Sequence, residues 1–328
     1  MLVDSYNRVH NYLRISLTDK CNLNCIYCNP NSITNRLEKA SQILGYDELL
    51  RLINIFSEIG INKIRFTGGE PLVRKGADDF FESLKNKYSD ITFCITTNGI
   101  LLEEKLENII NSGIRKINIS LDSLNNDCFI KMTGSSELTR VLSSINKVQE
   151  HEINPKINTV IIKGINDNEI LDFVGFAIER NLNVRFIEFM PFNCNGIWNK
   201  GFMPYTEVKK IIERKFILVK ANQDSSEVAK DYKIEGNPGI ISFITPISEH
   251  FCENCSRLRL TADGSLKFCL FTPEDKKIDL KIYLRDKNYL DSDISQIIVS
   301  AIKNKQPERP DIDNLVQLKN LNMLKIGG

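Results

Sequence analysis

The sequence of 328 residues predicts an α/β fold: an incomplete (βα)6 barrel of the TIM type followed by a smaller C-terminal α+β domain. Three observations carry this expectation. Short apolar segments alternate six times with helical patterns between residues 13 and 189. Polar or glycine-rich oddities recur where those segments end, which in such barrels is the carboxyl edge that carries chemistry. The rhythm then breaks near Asn193, and a new group of cysteines appears only after residue 250.

The first strand, Leu13-Arg14-Ile15-Ser16-Leu17, runs directly into Cys21, Cys25 and Cys28, and residues 31–42 read as a polar loop. Leu49, Leu50, Ile53 and Phe56 recur at helical spacing, and Gly60 ends that helix. Residues 63–67 form a strand that stops at Gly68-Gly69-Glu70-Pro71, and Phe80, Phe81 and Leu84 mark the next helix. A strand at 91–95 closes on Thr96-Thr97-Asn98-Gly99, and one at 116–121 ends at Asp122, with a helix at 101–110 between them. Helices at 126–131 and 138–150, a strand at 157–162, a helix at 169–178 and a strand at 184–189 complete the series, leading into Met190-Pro191. Right-handed crossovers curl six such units into a three-quarter barrel.

From 193 to 203 the chain reads as a linker, with Gly196, Trp198 and Gly201. A helix follows at 205–216, then a polar loop at 221–229, strands at 240–247 and 258–261, and a last helix at 291–303. The division is set at 1–210 and 211–328.

Composition narrows the function class. A net charge of +1 supplies no global field for nucleic acid or an anionic membrane, so any anion site is local. No apolar run long enough to span a bilayer and no cleavable leader is evident, and nine cysteines are too few for a disulfide scaffold; a reducing cytoplasm is expected. Cys94, Cys128 and Cys194 stand apart from the clusters and read as core thiols.

Cys21, Cys25 and Cys28 are separated by three and then two residues. Three thiolates on one loop can hold three irons of a four-iron cluster and leave the fourth open for chemistry. A zinc knuckle is the plain alternative, although zinc ordinarily takes four ligands. Cys252, Cys255 and Cys269 form a second triad, spaced by two and thirteen residues. On spacing alone it suits zinc, with His250 as fourth ligand, as well as it suits iron–sulfur; the first triad tips the reading toward a second open cluster. Arg257 and Arg259 beside it suit a polyanion. The terminal Gly327-Gly328 can thread a narrow channel, since neither residue has a side chain.

Together the two triads, Gly68-Gly69-Glu70-Pro71, Arg257-x-Arg259 and the diglycine tail resemble the GTP 3′,8-cyclases of molybdenum cofactor biosynthesis, in the radical S-adenosylmethionine (SAM) superfamily, over the whole chain. The resemblance implies two [4Fe–4S] clusters, at 21/25/28 and in a C-terminal iron–sulfur domain at 252/255/269. It implies SAM at Tyr27, Gly69, Ser120 and Met190, and GTP at Arg14, Arg65, Thr96, Lys156, Arg257 and Arg259. Arg257, Arg259, Gly327 and Gly328 are the candidates for a part in catalysis. The implied reaction cleaves SAM reductively to a 5′-deoxyadenosyl radical, which takes the hydrogen at C3′ of GTP before C3′ bonds to C8. The implied partners are a reductant such as flavodoxin or ferredoxin, a downstream cyclic pyranopterin monophosphate synthase, and a second copy of the chain. Lys156, at the start of its strand rather than the end, fits the pattern least well, and Asn29 replaces the usual methionine. The rival expectations are a radical SAM enzyme that modifies a peptide, a zinc-binding module and a cluster carrier.

Overall fold

The computed structural model describes residues 1–29, 42–192, 197–221, 228–317 and 323–327. Most of the loop expected at 31–42, part of the linker at 193–203, most of the loop at 221–229, Cys194, Gly196 and Gly328 lie outside them.

The six expected units are present: β1 (Tyr12–Ser16), α1 (Tyr46–Glu58), β2 (Lys63–Thr67), α2 (Ala77–Leu84), β3 (Thr92–Thr97), α3 (Leu102–Asn111) and β4 (Lys116–Ser120). Two helices, α4 (Asn126–Thr133) and α5 (Leu138–Glu150), lead to β5 (Lys156–Ile161), α6 (Ile170–Glu179) and β6 (Asn183–Glu188). Then come α7 (Ile197–Gly201), α8 (Tyr205–Glu213), β7 (Leu218–Lys220), β8 (Ala229–Ile234) and β9 (Ile240–Ile244). The chain closes with β10 (Arg257–Leu260), β11 (Ser265–Lys267), β12 (Ile278–Asp279), α9 (Leu280–Arg285), α10 (Asp291–Ile302), α11 (Ile312–Gln317) and α12 (Met323–Ile326).

Among the described residues twelve strands form one sheet, in the order β12-β11-β10-β1-β2-β3-β4-β5-β6-β9-β8-β7. The six strands of the barrel are its parallel centre, and the later strands extend it at both edges rather than building a sheet of their own. The segment that reads as a linker is in part a helix: Trp198 is buried and its Nε1–H donates to Phe189 O at 2.9 Å. The tail likewise ends in α11 and α12, beyond the last expected helix. Among the described residues no helix is long and apolar enough to cross a membrane.

Alternation along the strands explains why this barrel is hollow. Leu13 and Ile15, Ile64 and Phe66, Ile117 and Ile119, and Leu258 and Leu260 are fully or almost fully buried in the core. Phe66 meets Phe80 of α2 edge-on at 5.5 Å, which places this face against the helices. The alternate residues, Tyr12 and Arg14, Lys63 and Arg65, Asn118 and Ser120, Asn158, Arg185, and Arg257 and Arg259, line one common cavity. Barrels of this type ordinarily fill that face with branched apolar side chains. Here it is polar, and space remains.

The N-terminal segment braces the end where the strands begin. Asp4, almost fully buried, accepts from Arg8 Nε at 2.6 Å and from the backbone of Arg8 and Tyr6, and lies 3.0 Å from His10 Nε2. Asp4→Ala should strand the buried Arg8 guanidinium and lower stability by about 3 to 5 kcal/mol, measurable as a fall in denaturation midpoint with an unchanged slope.

Candidate functional site

The cavity measures about 470 Å³, within the ordinary range for small-molecule sites. Its two ends are set by topology. Cys21 follows β1, and the loop it opens is tied down by Asn24 N–H to Thr133 O and Ile26 N–H to Met132 O, both at 2.9 Å. Cys28 N–H and Asn29 N–H both donate to Cys25 O, which turns the loop so that Cys21, Cys25, Tyr27 and Cys28 all face the cavity. Burial raises the thiol pKa of all three cysteines, Cys21 to about 11, and the Asp122 carboxylate adds to this at Cys25 and Cys28. A bound iron would reverse that preference by stabilising the thiolates.

Gly68 and Gly69 press against the chain that leads into this loop. Gly69 N–H donates to Thr18 O at 2.6 Å, and a Cβ on Gly69 would stand 2.3 Å from Lys20 O. The missing side chain is therefore demanded by a backbone-to-backbone contact, while Gly69 also lines the cavity. Gly69→Ala should push the Cys21 loop outward at a cost of about 1 to 3 kcal/mol. The expected readouts are a lower melting temperature and loss of iron at the first triad. Glu70, its carboxyl raised by burial to about 7, accepts from Leu72 N, Thr97 Oγ1 and Asn98 N, and Asn98 Nδ2 in turn donates to Asn22 Oδ1 at 2.7 Å. Tyr27 donates to Asp122 Oδ2 at 2.7 Å. Ser120 and Met190 line the same end.

The second triad lies at the opposite end. Cys252 and Cys255 sit just before β10, which runs parallel to β1, so they mark the end where the barrel strands begin. β11 returns antiparallel and delivers Cys269 to the same end. Their neighbours Phe251, Ser256, Arg257 and Leu270 line the cavity wall. Burial raises the Cys252 and Cys269 thiols; it would raise Cys255 too, but Lys305 and Arg257 beside it bring that thiol down. His250 is exposed, with Nε2 3.3 Å from Glu308 Oε2, so it is turned to a carboxylate rather than to the sulfurs. Among the described residues no three His, Cys, Asp or Glu side chains close on one point tightly enough for a single metal ion. Three thiols are the donor set that a four-iron cluster with one open iron takes, and each triad offers three.

Between the two ends runs a row of guanidinium groups. Parallel pairing sets Arg259, Arg14 and Arg65 side by side on β10, β1 and β2, with Arg257 beside Tyr12 two residues earlier. Burial lowers the Arg14 pKa well below its usual value, and the Arg259, Arg65 and Arg257 charges press it further down. Burial and Arg257 likewise bring Arg259 to about 10. Burial alone would raise the Tyr12 phenol, but the cations Arg65, Arg14 and Arg257 bring it down to about 8. Arg65 donates to Tyr12 Oη at 2.8 Å, Ile95 O at 2.6 Å and Thr96 Oγ1 at 3.3 Å.

The cavity carboxylates Glu70, Asp122 and Glu188 are held by donors other than these arginines: Glu188 accepts from Tyr205 N, Ile247 N and Ser248 N, and Asp122 from Tyr27 and Val160 N. This wall gathers several guanidinium groups on one surface, an arrangement suited to a polyanion.

The tail enters here as well. Met323 and Leu324 line the cavity, and Gly327 O accepts from Arg259 Nη1 at 2.6 Å. Gly327 has φ +76°, and a Cβ would lie 2.9 Å from both Ser16 Cβ and Thr67 Oγ1, so only glycine fits.

Of the residues singled out from sequence, Lys156, which begins β5, is not among those lining the cavity, and neither are Cys252, Cys255, Cys269 and Gly327. Cys94 is a buried thiol on β3, and Cys128 Sγ lies 3.5 Å from Ile165 O. Sequence reasoning missed Tyr12, Lys63, Asn118, Asn158 and Arg185, which all line the cavity. Asn158 Oδ1 is buried with no hydrogen-bond partner among the described residues. The available signal was a polar residue at every second position of otherwise apolar strands.

The family described as the radical SAM superfamily matches residues 15–177, and the one described as Molybdenum Cofactor Synthesis C matches residues 182–310. The protein named GTP 3′,8-cyclase, mitochondrial, of Arabidopsis thaliana is 42% identical over 331 residues, covering 100% of this chain and 84% of that protein. A GTP 3′,8-cyclase of Syntrophomonas wolfei is 40% identical over 316 residues, covering 95% of each. Molybdenum cofactor biosynthesis protein 1 of Dictyostelium discoideum is 42% identical, but this chain spans only 52% of its length. Among solved structures, Streptococcus suis SuiB bound to S-adenosylmethionine superposes with a TM-score of 0.61 over 94% of this chain and 78% of that one, at 17% identity. That likeness speaks for the fold alone.

Proposed function

The chain belongs to the GTP 3′,8-cyclase family of radical SAM enzymes, which act in molybdenum cofactor biosynthesis, and from that premise we propose that its cavity joins C3′ of GTP to C8. In the proposed reaction SAM, when bound and reductively cleaved, would supply a 5′-deoxyadenosyl radical for the C3′ hydrogen, and C3′–C8 bond formation followed by uptake of one electron from the reductant and one proton would give 3′,8-cyclo-7,8-dihydro-GTP. When bound, a first [4Fe–4S] cluster supplies the electron for SAM cleavage, and a second supplies an open position for the guanine.

The observation that carries this reading is the row Arg259–Arg14–Arg65, set in register on the wall of a cavity that the first triad lines and that the neighbours of the second, Phe251, Ser256, Arg257 and Leu270, line as well. Cys21, Cys25 and Cys28 would hold the first cluster, with Tyr27, Gly69, Ser120 and Met190 around SAM. Arg14, Arg65, Thr96, Arg257 and Arg259 would receive the polyanion by charge-assisted hydrogen bonds, and their fixed positions reduce the entropy cost of orienting it. Lys156 begins β5, at the same end of the parallel strands as the second triad, which suits a contact with the base end of GTP. Cys252, Cys255 and Cys269 would hold the second cluster. Apolar cavity residues such as Phe129, Phe189 and Phe192 would keep water from the radical.

In this reading residues 1–210 carry SAM chemistry and residues 211–328 carry the second cluster and the tail. A flavodoxin or ferredoxin would supply electrons, a cyclic pyranopterin monophosphate synthase would take the product, and the enzyme would work as a homodimer in a reducing cytoplasm.

Anaerobic incubation with reductant, SAM and GTP tests the reading. It should give 5′-deoxyadenosine in amounts that depend on GTP, together with the cyclised nucleotide. Deoxyadenosine formed equally well without GTP, but only when a peptide is added, would transfer the assignment to a peptide-modifying enzyme.

A further inference from the structure

Behind the second triad lies a chain of buried polar groups that the reaction above does not use. Lys305, three residues beyond α10, is only 4% exposed. Its Nζ donates to Arg257 O at 2.9 Å and lies 3.5 Å from each of Cys255 Sγ, Cys255 O and His10 Nδ1. His10 is fully buried, and its Nε2 lies 3.0 Å from Asp4 Oδ2. Arg8, held by the same carboxylate, donates from Nη1 to Cys252 O at 2.9 Å. Asp4, Arg8, His10 and Lys305 do not line the cavity, and neither do the three cysteines, whose neighbours Phe251, Ser256, Arg257 and Leu270 do.

The arrangement has a direction. Asp4 accepts from Nε2–H of a neutral His10, which leaves Nδ1 as an acceptor facing the Lys305 ammonium. Burial, with Lys305 nearby, lowers the His10 pKa to about 4, in keeping with a neutral ring at neutral pH. A lysine so deeply buried is costly unless its N–H groups are satisfied, and the acceptors around it are backbone oxygens, one imidazole nitrogen and a cysteine sulfur. Hydrogen bonds to cysteine sulfurs withdraw electron density from an iron–sulfur cluster and are among the levers that set its reduction potential.

We propose that Lys305 is a positioning residue for the second cluster, holding Cys255 through its sulfur and raising the potential of the cluster that takes the nucleotide. The inference rests on the reading that residues 252, 255 and 269 carry a four-iron cluster.

The test is a redox titration, followed by electron paramagnetic resonance, of the enzyme with both triads loaded. The signal that changes on adding GTP identifies the second cluster. In Lys305→Met, which keeps the length of the side chain and removes the donor, the reduced-to-oxidised ratio at a fixed potential should fall about tenfold, equivalent to about 59 mV for one electron. The other cluster should titrate as in the unaltered protein. Lys305→Gln, which keeps an N–H donor, should recover part of the shift.

Unaltered protein that takes up about eight irons, together with a Lys305→Met midpoint equal to its own, overturns the inference and leaves the cluster assignment standing. About four irons in the unaltered protein, or zinc at the second triad, overturns both. If both replacements lose the second cluster, Lys305 merely supports the site, and the tuning role is wrong.

Discussion

Cys252→Ala is expected to abolish cyclisation of GTP and the GTP-dependent cleavage of SAM, leaving only the GTP-independent background of SAM cleavage at the first cluster, and to bring iron from about eight to about four per chain. The separation of the two effects follows from topology. Cys21 follows β1, whereas Cys255 precedes the parallel strand β10 beside it, so the triads stand at opposite ends of the same strands. A strand of five residues spans roughly 17 Å. Removing one thiolate from the 252/255/269 set therefore leaves the Cys21 loop, its anchors on Thr133 and Met132, and the Gly69 contact untouched. Iron and sulfide analysis gives the cluster count, and chromatography of 5′-deoxyadenosine and nucleotide products separates the two activities. Iron content unchanged by the substitution would show that Cys252 is no ligand.

Arg259→Ala should produce the next largest loss, and it should do so without loss of iron. Its guanidinium is buried, stands in register with Arg14, and donates from Nη1 to Gly327 O, leaving further N–H groups for a phosphate. Truncation of such a buried, hydrogen-bonded charge costs about 2 to 5 kcal/mol, which is about 30- to 4,000-fold in affinity. The effect should appear chiefly in the KM for GTP and in a turnover that no longer depends on the tail. Deleting Gly327 and Gly328 should block turnover with both clusters retained, since it removes the carbonyl that Arg259 holds and the one residue that fits between Ser16 and Thr67. Full activity in that truncation would exclude an active-site role for the tail.

The two outcomes draw on different levels of the molecule. The first triad was legible because ligand spacing on a short loop is a local property, and so was the glycine pair that closes β2. The strand and helix units from β1 to β6 were legible for the same reason: periods of two and of 3.6 are written into a dozen residues at a time. The helix α7, with its buried Trp198, was missed because glycines on both sides of the tryptophan read as a linker. The helices of the tail have short patterns that only packing defines.

Within the site, Arg185 and Asn158 were passed over although their neighbours Val184, Phe186 and Ile157 are buried. A strand with apolar residues on one face and polar residues on the other ordinarily turns the polar face to water. In this fold that face turns inward, onto the cavity, and the sequence of a single strand cannot distinguish the two. The position of the second triad has a similar origin. Its spacing is plain in the sequence, but its place is not; the parallel course of β10 and the return of β11 carry it to the end of the strands opposite the first triad. The same fact gives a place to Lys156, whose location at the start of β5 otherwise looks anomalous.

By itself, then, the sequence determined a barrel of six strand–helix units, a three-cysteine loop after the first of them and a second triad near the end, because each is encoded within a few turns of chain. Only the tertiary structure decided that Arg14 would stand between Arg65 and Arg259, that the triads would lie at opposite ends of the same strands, and that Lys305 would reach Cys255. Those contacts join segments up to some three hundred residues apart, and their register is set by how β10 packs against β1, which no local pattern records.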